Sequence, residues 1–139
     1  MNISGYLCLR INGSKLDFDD INNNIKLQPT QVHHKGDTIE SKYSRYGKKT
    51  HIEDGWLYEV EFGATQNLND VLNEFISTLS NCKDYLKIIY KEYYVRLWCD
   101  IYSDFAQFSI VLTPDTIKKI ADVGIGFDIQ MYSHGRLEK

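Results

Sequence analysis

The chain has 139 residues, of which 42% are hydrophobic and 25% are charged, and its formal net charge is −3. This length suits one hydrophobic core, because two cores of half the size would each be marginal, so we predict a single domain over residues 1–139. The acidic balance speaks against a general nucleic-acid coat, and no apolar run approaches the roughly 18 residues that a membrane-spanning helix needs.

The first part of the chain predicts two strands separated by a helix and a loop. Apolar and other residues alternate over 5–11, which is the period-two pattern of a half-buried strand. Asp17 can cap a short helix, and the helix ends before Pro29 because the residue preceding a proline is pushed out of helical dihedrals. A basic loop over about 33–54 follows, and the clearest strand covers 55–62.

Helical spacing of apolar residues then predicts two helices, over about 67–80 and 83–92. In the last third, alternation predicts strands over 94–102, 106–112 and 125–132. A helix between the last two begins with Thr113 as its N-cap and stops at Gly124. On the closing strand the expected inward residues are Ile125, Phe127, Ile129 and Met131. These elements predict an α+β fold, a two-layer sandwich of a mostly antiparallel β-sheet with helices packed on one face.

If the apolar faces point toward the helices, the opposite face of the sheet carries aromatic and charged side chains together. Its members are Tyr6, Cys8, Arg10, Glu59, Glu61, Arg96, Trp98, Asp100, Tyr102, Asp128, Gln130 and Tyr132. Such a mixture is typical of protein interfaces, in which Trp, Tyr and Arg supply most hot spots. The predicted partner-binding residues are Arg10, Arg96, Trp98, Asp100, Tyr102 and Tyr132. The alternative is that the loop over 33–54 folds over this face.

The basic loop is the second candidate site. Residues 33–51 contain five Lys or Arg and two acidic residues, a net +3 in a chain whose total is −3. The residues that could contact a nucleic acid or another anion are Lys42, Arg45, Lys48 and Lys49, with Tyr43 and Tyr46 available for base stacking. A solvated loop explains the same composition.

The sequence offers no catalytic arrangement and no cofactor site. It lacks a Gly-x-Ser-x-Gly elbow, a His-Glu-x-x-His pair and a glycine-rich phosphate loop. The three cysteines are far apart and odd in number, which indicates structural thiols. His33, His34 and His51 could form a metal site only if the loop returned on itself. We therefore predict a non-enzymatic protein without cofactor or metal, and an N-terminus without a signal-peptide pattern predicts a cytoplasmic location.

Several short motifs follow one another in an order that resembles a known family. They are "LDFDDINNNIKLQPTQVHHKGD", then "GW" at the start of a strand, then "LTPDTIKKIADVGIGFDIQMY". Over residues 5–132 this order is similar to the bacterial domain of unknown function 4279. The resemblance transfers no catalytic residue. Each matching position can be explained by a role in maintaining the fold. These positions are Pro29, Thr30, Lys35, Gly36, Asp37, Trp56 and Asp128. For Gly36 that role is a turn with positive φ, and for Trp56 a core anchor.

A small acidic protein without an active site is best explained as an interaction protein. The first hypothesis is an immunity-type protein that binds and neutralises a bacterial toxin, by analogy with compact α+β proteins that act by occlusion. An acidic surface would suit a basic nuclease toxin through electrostatic steering. A homodimer is a further possible use of the aromatic face. The alternative hypothesis is a small nucleic-acid- or anion-binding module that uses residues 33–51.

Overall fold

A five-stranded mixed β-sheet forms one layer of the protein and helices form the other. The computed structural model describes residues 3–39 and 49–136, with side chains up to residue 133. The strands are β1 (Ile3–Gly13), β2 (Gln31–His33), β3 (Asp54–Phe62), β4 (Tyr94–Phe105) and β5 (Gly126–Arg136). The helices are α1 (Phe18–Ile25), α2 (Leu68–Leu79), α3 (Lys83–Ile89) and α4 (Pro114–Val123), with a 3₁₀ turn at Ser80–Cys82 between α2 and α3. Within the described ranges, no helix has the length and apolar character required to cross a membrane.

The strand order across the sheet is β2-β3-β1-β4-β5. The pairs β2–β3, β3–β1 and β1–β4 are antiparallel, and β4–β5 is parallel. The parallel pair follows from α4, because a chain that leaves one strand and re-enters beside it in the same direction needs a crossover. The predicted α+β sandwich with a mostly antiparallel sheet and helices on one face is therefore confirmed.

The inner face of the sheet packs against the helices and forms one hydrophobic cluster. Leu9 from the central strand and Trp56 from β3 are both 0% exposed. The Trp56 indole Nε1 donates a hydrogen bond to Asn22 Oδ1 of α1 at 2.9 Å, so its polar edge is satisfied while its ring is buried. Tyr58 stacks on Phe75 of α2, with ring centroids 5.9 Å apart. Trp56 is thus the core anchor that was predicted.

Helix ends follow the capping residues that the sequence predicts. Asp17 Oδ1 accepts a hydrogen bond from the Asp20 backbone N–H at 3.1 Å, and Thr113 Oγ1 accepts one from Thr116 at 3.4 Å. Gly124 ends α4 with a φ of 77°, the left-handed conformation that glycine adopts without steric cost. These caps place α1 and α4 at the predicted positions.

The predicted strand over 106–112 is wrong. Strand β4 continues to Phe105 through the predicted turn, and the following segment is extended without pairing to another strand. Phe108, Ile110 and Leu112 pack against the core, whereas Val111 between them is 75% exposed. Alternation therefore reports correctly which side chains face the core, but an extended connection produces the same pattern as a hydrogen-bonded strand.

The two edges of the sheet also differ from expectation. β2 has only three residues, too few to show a period in the sequence, and Thr30 prolongs its pairing by accepting a hydrogen bond from the Glu59 N–H at 2.9 Å. On β5 the predicted inward face is only partly covered. Ile125 is 9% exposed just before the strand, but Ile129 is 43% and Met131 56% exposed, because the edge strand runs beyond the cover of the helices.

Candidate binding site on the outer sheet face

The face of the sheet opposite the helices, which we call the outer face, brings together the residues predicted for partner binding. Pairing between strands places Arg10 beside Arg96, and Cys8 beside Trp98. Farther along, Tyr102 pairs with Tyr132 across β4 and β5. All six predicted partner-binding residues therefore lie on three adjacent strands. Cys8, which was also assigned to this face, is buried beneath its neighbours at 5% exposure.

One end of the outer face is a tyrosine cluster formed by Tyr6, Tyr102 and Tyr132. The rings of Tyr102 and Tyr132 stack with centroids 4.9 Å apart, and Tyr6 meets Tyr102 edge-on at 6.4 Å. Tyr102 is 36% and Tyr132 45% exposed. Because each ring is held by another, the cluster presents a rigid aromatic surface to solvent.

The other end of the outer face holds two arginines against aromatic rings. The Arg10 guanidinium lies 4.8 Å from the Trp98 ring centroid, and the Arg96 guanidinium lies 4.7 Å from that of Tyr94. Such cation–π contacts hold a guanidinium in place while leaving its N–H groups free to bind elsewhere. Arg10 Nε has no hydrogen-bond partner among the described residues.

Acidic side chains lie between these two ends. Burial raises the pKa of Glu59 and of Asp100, and the nearby Arg10 charge opposes the rise for both carboxyls. Among the described residues, Asp100 Oδ1 and Trp98 Nε1 are buried without a hydrogen-bond partner. Unpaired buried polar atoms cost free energy, so the described residues around this part of the face leave some of its polar groups unsatisfied.

The loop after β2 returns over one corner of the outer face. A backbone bridge joins Thr38 to Thr50, and the Gly36 N–H donates to the His51 carbonyl at 2.8 Å. Its described arms, at 34–39 and 49–53, reach the outer-face residues Arg10 and Leu57. The loop therefore covers this corner of the outer face, whereas the tyrosine cluster at the other end remains exposed.

The segment Lys35-Gly36-Asp37 is a turn, as the family resemblance implied. The Asp37 N–H donates to the His34 carbonyl at 3.0 Å, and Asp37 Oδ2 accepts from the His34 N–H at 2.7 Å. Gly36 is the third residue of this turn and has a φ of 93°, which a side chain would disfavour. The Lys35-Gly36-Asp37 motif therefore has a structural role in this region.

Asp54 holds this corner together, and sequence analysis missed it. Its Oδ1 accepts a hydrogen bond from the Lys35 backbone N–H at 2.7 Å, and its Oδ2 accepts one from the Leu16 N–H at 3.0 Å. These two bonds lower the pKa of the Asp54 carboxyl below its usual value. The only local signal was an acidic residue directly before Gly55-Trp56.

The loop histidines do meet, but not as metal ligands. His33 and His51 stack with ring centroids 3.6 Å apart and ring planes 13° from parallel, so their nitrogens do not converge on one point as ligands must. His34 lies instead against Phe18, with centroids 4.9 Å apart. Within residues 3–39 and 49–136, no group of three or more His, Cys, Asp or Glu is placed to hold a metal ion.

The remaining predicted residues divide between described and undescribed parts of the chain. Lys49 is exposed at the base of the returning loop arm, whereas Lys42, Arg45 and Lys48 lie outside the described residues, as do Tyr43 and Tyr46. The cysteines are free and buried, as expected of structural thiols. Burial raises the pKa of Cys8 to about 11 and that of Cys99 to about 12, so neither thiol is a ready nucleophile near neutral pH.

Comparison with known proteins identifies a family but no characterised relative. The model of a family described as a domain of unknown function, DUF4279, matches residues 3–134. Neither a search of curated proteins nor a search of solved structures found a match. The match covers all five strands up to the last residues of β5, so the outer face lies within the region that defines the family.

Proposed function

Since this chain belongs to the DUF4279 family, whose function is unknown, we propose from its own surface that it is a non-enzymatic interaction protein that binds a basic protein domain. The outer face is the proposed contact surface. The observation that carries this proposal is the exposed tyrosine cluster, which shares a rigid sheet face with Trp98 and with Arg10 toward the other end. Tyr, Trp and Arg are the residue types that dominate binding energy at protein interfaces.

The charges on the outer face support a basic partner. Glu59 and Glu61 are exposed on β3, and Asp100 and Asp128 lie on the two strands beyond the centre of the sheet. The whole chain carries a formal net charge of −3. A basic domain would be steered toward such a surface and would neutralise its carboxylates on contact.

In its most specific form, the proposal is that the protein is an immunity-type protein and that the partner is a toxin domain. A small folded protein without catalytic machinery can neutralise a toxin by covering its active surface. Basic nucleases are suitable targets, because their nucleic-acid-binding surfaces complement an acidic, aromatic face. This form implies that the protein acts in stoichiometric amounts rather than catalytically, and that a toxin with a basic domain is encoded beside its gene.

We expect the double variant Tyr102→Ala/Tyr132→Ala to lose protection against that neighbouring toxin in a co-expression growth assay. Two aromatic hot spots cost about 2 kcal/mol each when truncated, which corresponds to a loss of affinity of roughly 30-fold per residue. Binding is measured by calorimetry with the purified toxin domain. Association with the native protein should also slow as salt is raised, because steering charges are screened.

A matched control removes exposed apolar side chains from the helical layer. The double variant Ile88→Ala/Ile117→Ala changes side chains that are 63% and 53% exposed, and it should protect as well as the native protein. Full protection by the tyrosine variant would remove the outer face from the interface. The absence of any toxin beside the gene, or failure of the native protein to protect, would refute the immunity form of the proposal.

A further inference from the structure

A groove of about 420 Å³ lies between the returning loop arm and the outer face. Arg10, Asn12 and Leu57 form its sheet side, and Ile39 and residues 50–53 form its loop side. Its volume falls within the range of small-molecule sites, about 300–1,000 Å³. It lies at the opposite end of the outer face from the tyrosine cluster and shares no residue with that cluster.

The polar groups in the groove favour an anion over a cation. Hydrogen-bond donors line it on both sides: Arg10, Asn12, Gln31, His33, Thr50 and His51. Glu53 is the one carboxylate among the described lining residues. The guanidinium of Arg10 is held on the Trp98 ring and the residue lines the groove, so its N–H groups on the groove side can donate hydrogen bonds to a carboxylate or phosphate oxygen. Leu57, Ile39 and Ile52 add an apolar wall.

The stacked histidines make this groove sensitive to protonation. His33 is 8% exposed, and its Nδ1 is buried without a hydrogen-bond partner among the described residues. A side chain on Gly55 would overlap the His33 ring, so the imidazole lies between the backbone of β3 and the ring of His51. Burial is the main cause that lowers the pKa of His33, and the neighbouring His51 adds to it, whereas a hydrogen bond with the Glu53 backbone opposes the shift.

Charged and titratable groups approach the pair from each element around it. They are Arg10 from β1, His34 and Asp37 from the turn after β2, Glu53 from the returning arm, and Asp54 from β3. Asp37 favours protonation of His33, whereas Arg10 and His51 oppose it. Asp54 is already engaged by two backbone N–H groups. An anion beside Arg10 would shift this balance toward the protonated pair.

We propose that this groove binds a small organic oxyanion through Arg10, and that binding is coupled to uptake of a proton by the His33–His51 pair. The ligand class is a carboxylate or a phosphate monoester with a small apolar body, which would lie against Leu57 and Ile52. Binding therefore becomes tighter as pH falls, because the proton and the anion stabilise each other in the groove. Arg10 also belongs to the outer face, but binding of this ligand does not require a protein partner.

The test measures binding of benzoate, phenyl phosphate and neutral benzyl alcohol to the whole chain by calorimetry at pH 7.5 and 5.5. Benzoate carries the pH comparison, because its own charge is constant over this range. Both anions should bind and the alcohol should not, and benzoate should bind several-fold more tightly at pH 5.5. In NMR titrations the ring protons of His33 should titrate at higher pH when benzoate is present.

Three variants make the result decisive. Arg10→Gln should weaken benzoate binding by about tenfold or more, as expected for loss of a charge-assisted contact. His33→Phe keeps an aromatic ring stacked against His51 but removes a titrating group. The affinity of this variant for benzoate should therefore depend less on pH. Lys87→Gln, on helix α3, controls for net charge and should bind as the native protein does. Equal binding of benzyl alcohol, native affinity in Arg10→Gln, or pH-independent binding by the native chain would overturn the proposal.

Discussion

Replacement of Gly5 by alanine is expected to lower the free energy of unfolding by about 3 kcal/mol, the upper part of the range for overpacking a core. A β-carbon at this position would overlap the backbone carbonyl of Asp100 on the neighbouring strand β4. The obstacle is backbone rather than a movable side chain. Gly5 also pairs with Phe62 on its other side, so β1 cannot move away from β4 without disturbing its pairing to β3.

Urea unfolding followed by circular dichroism measures this effect. Gly63→Ala is the matched control, because a β-carbon there has no atom within 4 Å, and its free energy of unfolding should stay within about 0.5 kcal/mol of the native value. If Gly5→Ala unfolds at the same urea concentration as the control, β1 and β4 do not approach as closely as the structure shows.

The second large effect is expected for Asp54→Ala, which should lower the free energy of unfolding by about 3 kcal/mol near pH 7. The change removes two hydrogen bonds to a carboxylate and leaves the backbone N–H groups of Leu16 and Lys35 without that partner. Each bond to a charged group contributes about 1.5–3 kcal/mol, and the two share one side chain. Asp54→Asn keeps one oxygen acceptor and should lose about half as much.

This loss should depend on pH in a defined direction. The pKa of Asp54 is lower in the folded protein than its ordinary value, so its contribution is present above about pH 4, the unfolded pKa. The contribution disappears as pH falls through the folded pKa. The native protein and Asp54→Ala should therefore differ in stability at pH 7, and the difference should shrink as pH is lowered below about 4.

A suitable control is Asp104→Asn at the end of β4, where the structure shows no hydrogen bond or ion pair to the carboxylate from any described residue. This variant should leave the free energy of unfolding at pH 7 nearly unchanged. A loss for Asp54→Ala that does not shrink as pH is lowered well below about 4 would contradict the assigned role of the charged carboxylate.

Periodicity in the sequence was enough to predict the layers and the membership of the outer face. Strands β1, β3 and β4 each span several periods of alternation. The alternation therefore correctly separated the side chains that face the helices from those, such as Trp98 and Tyr102, that lie on the outer face. The same reasoning failed for β2, which is too short to show a period. It also failed for 106–112, where alternation marks contact with the core in a segment that pairs with no strand.

The groove could not be predicted because its contacts join distant parts of the chain. His33 and His51 meet only after the loop turns at Gly36 and pairs Thr38 with Thr50. Asp54 binds backbone groups, and backbone groups leave no signature in side-chain composition. The basic character of residues 33–51 pointed to the correct region, but Arg10, the charged anchor of the proposed anion site, comes from the first strand.

The strand order has a consequence for the order of folding. The first strand made, β1, lies in the centre of the sheet and pairs only with β3 and β4, which are synthesised much later. The sheet therefore closes through contacts between distant parts of the chain, which form slowly because long loops must be ordered first. β5 can be added only once β4 is in place and α4 has crossed over. Until then the edge of β4 is open, and a nascent chain released at that stage would be prone to pairing with another copy of itself.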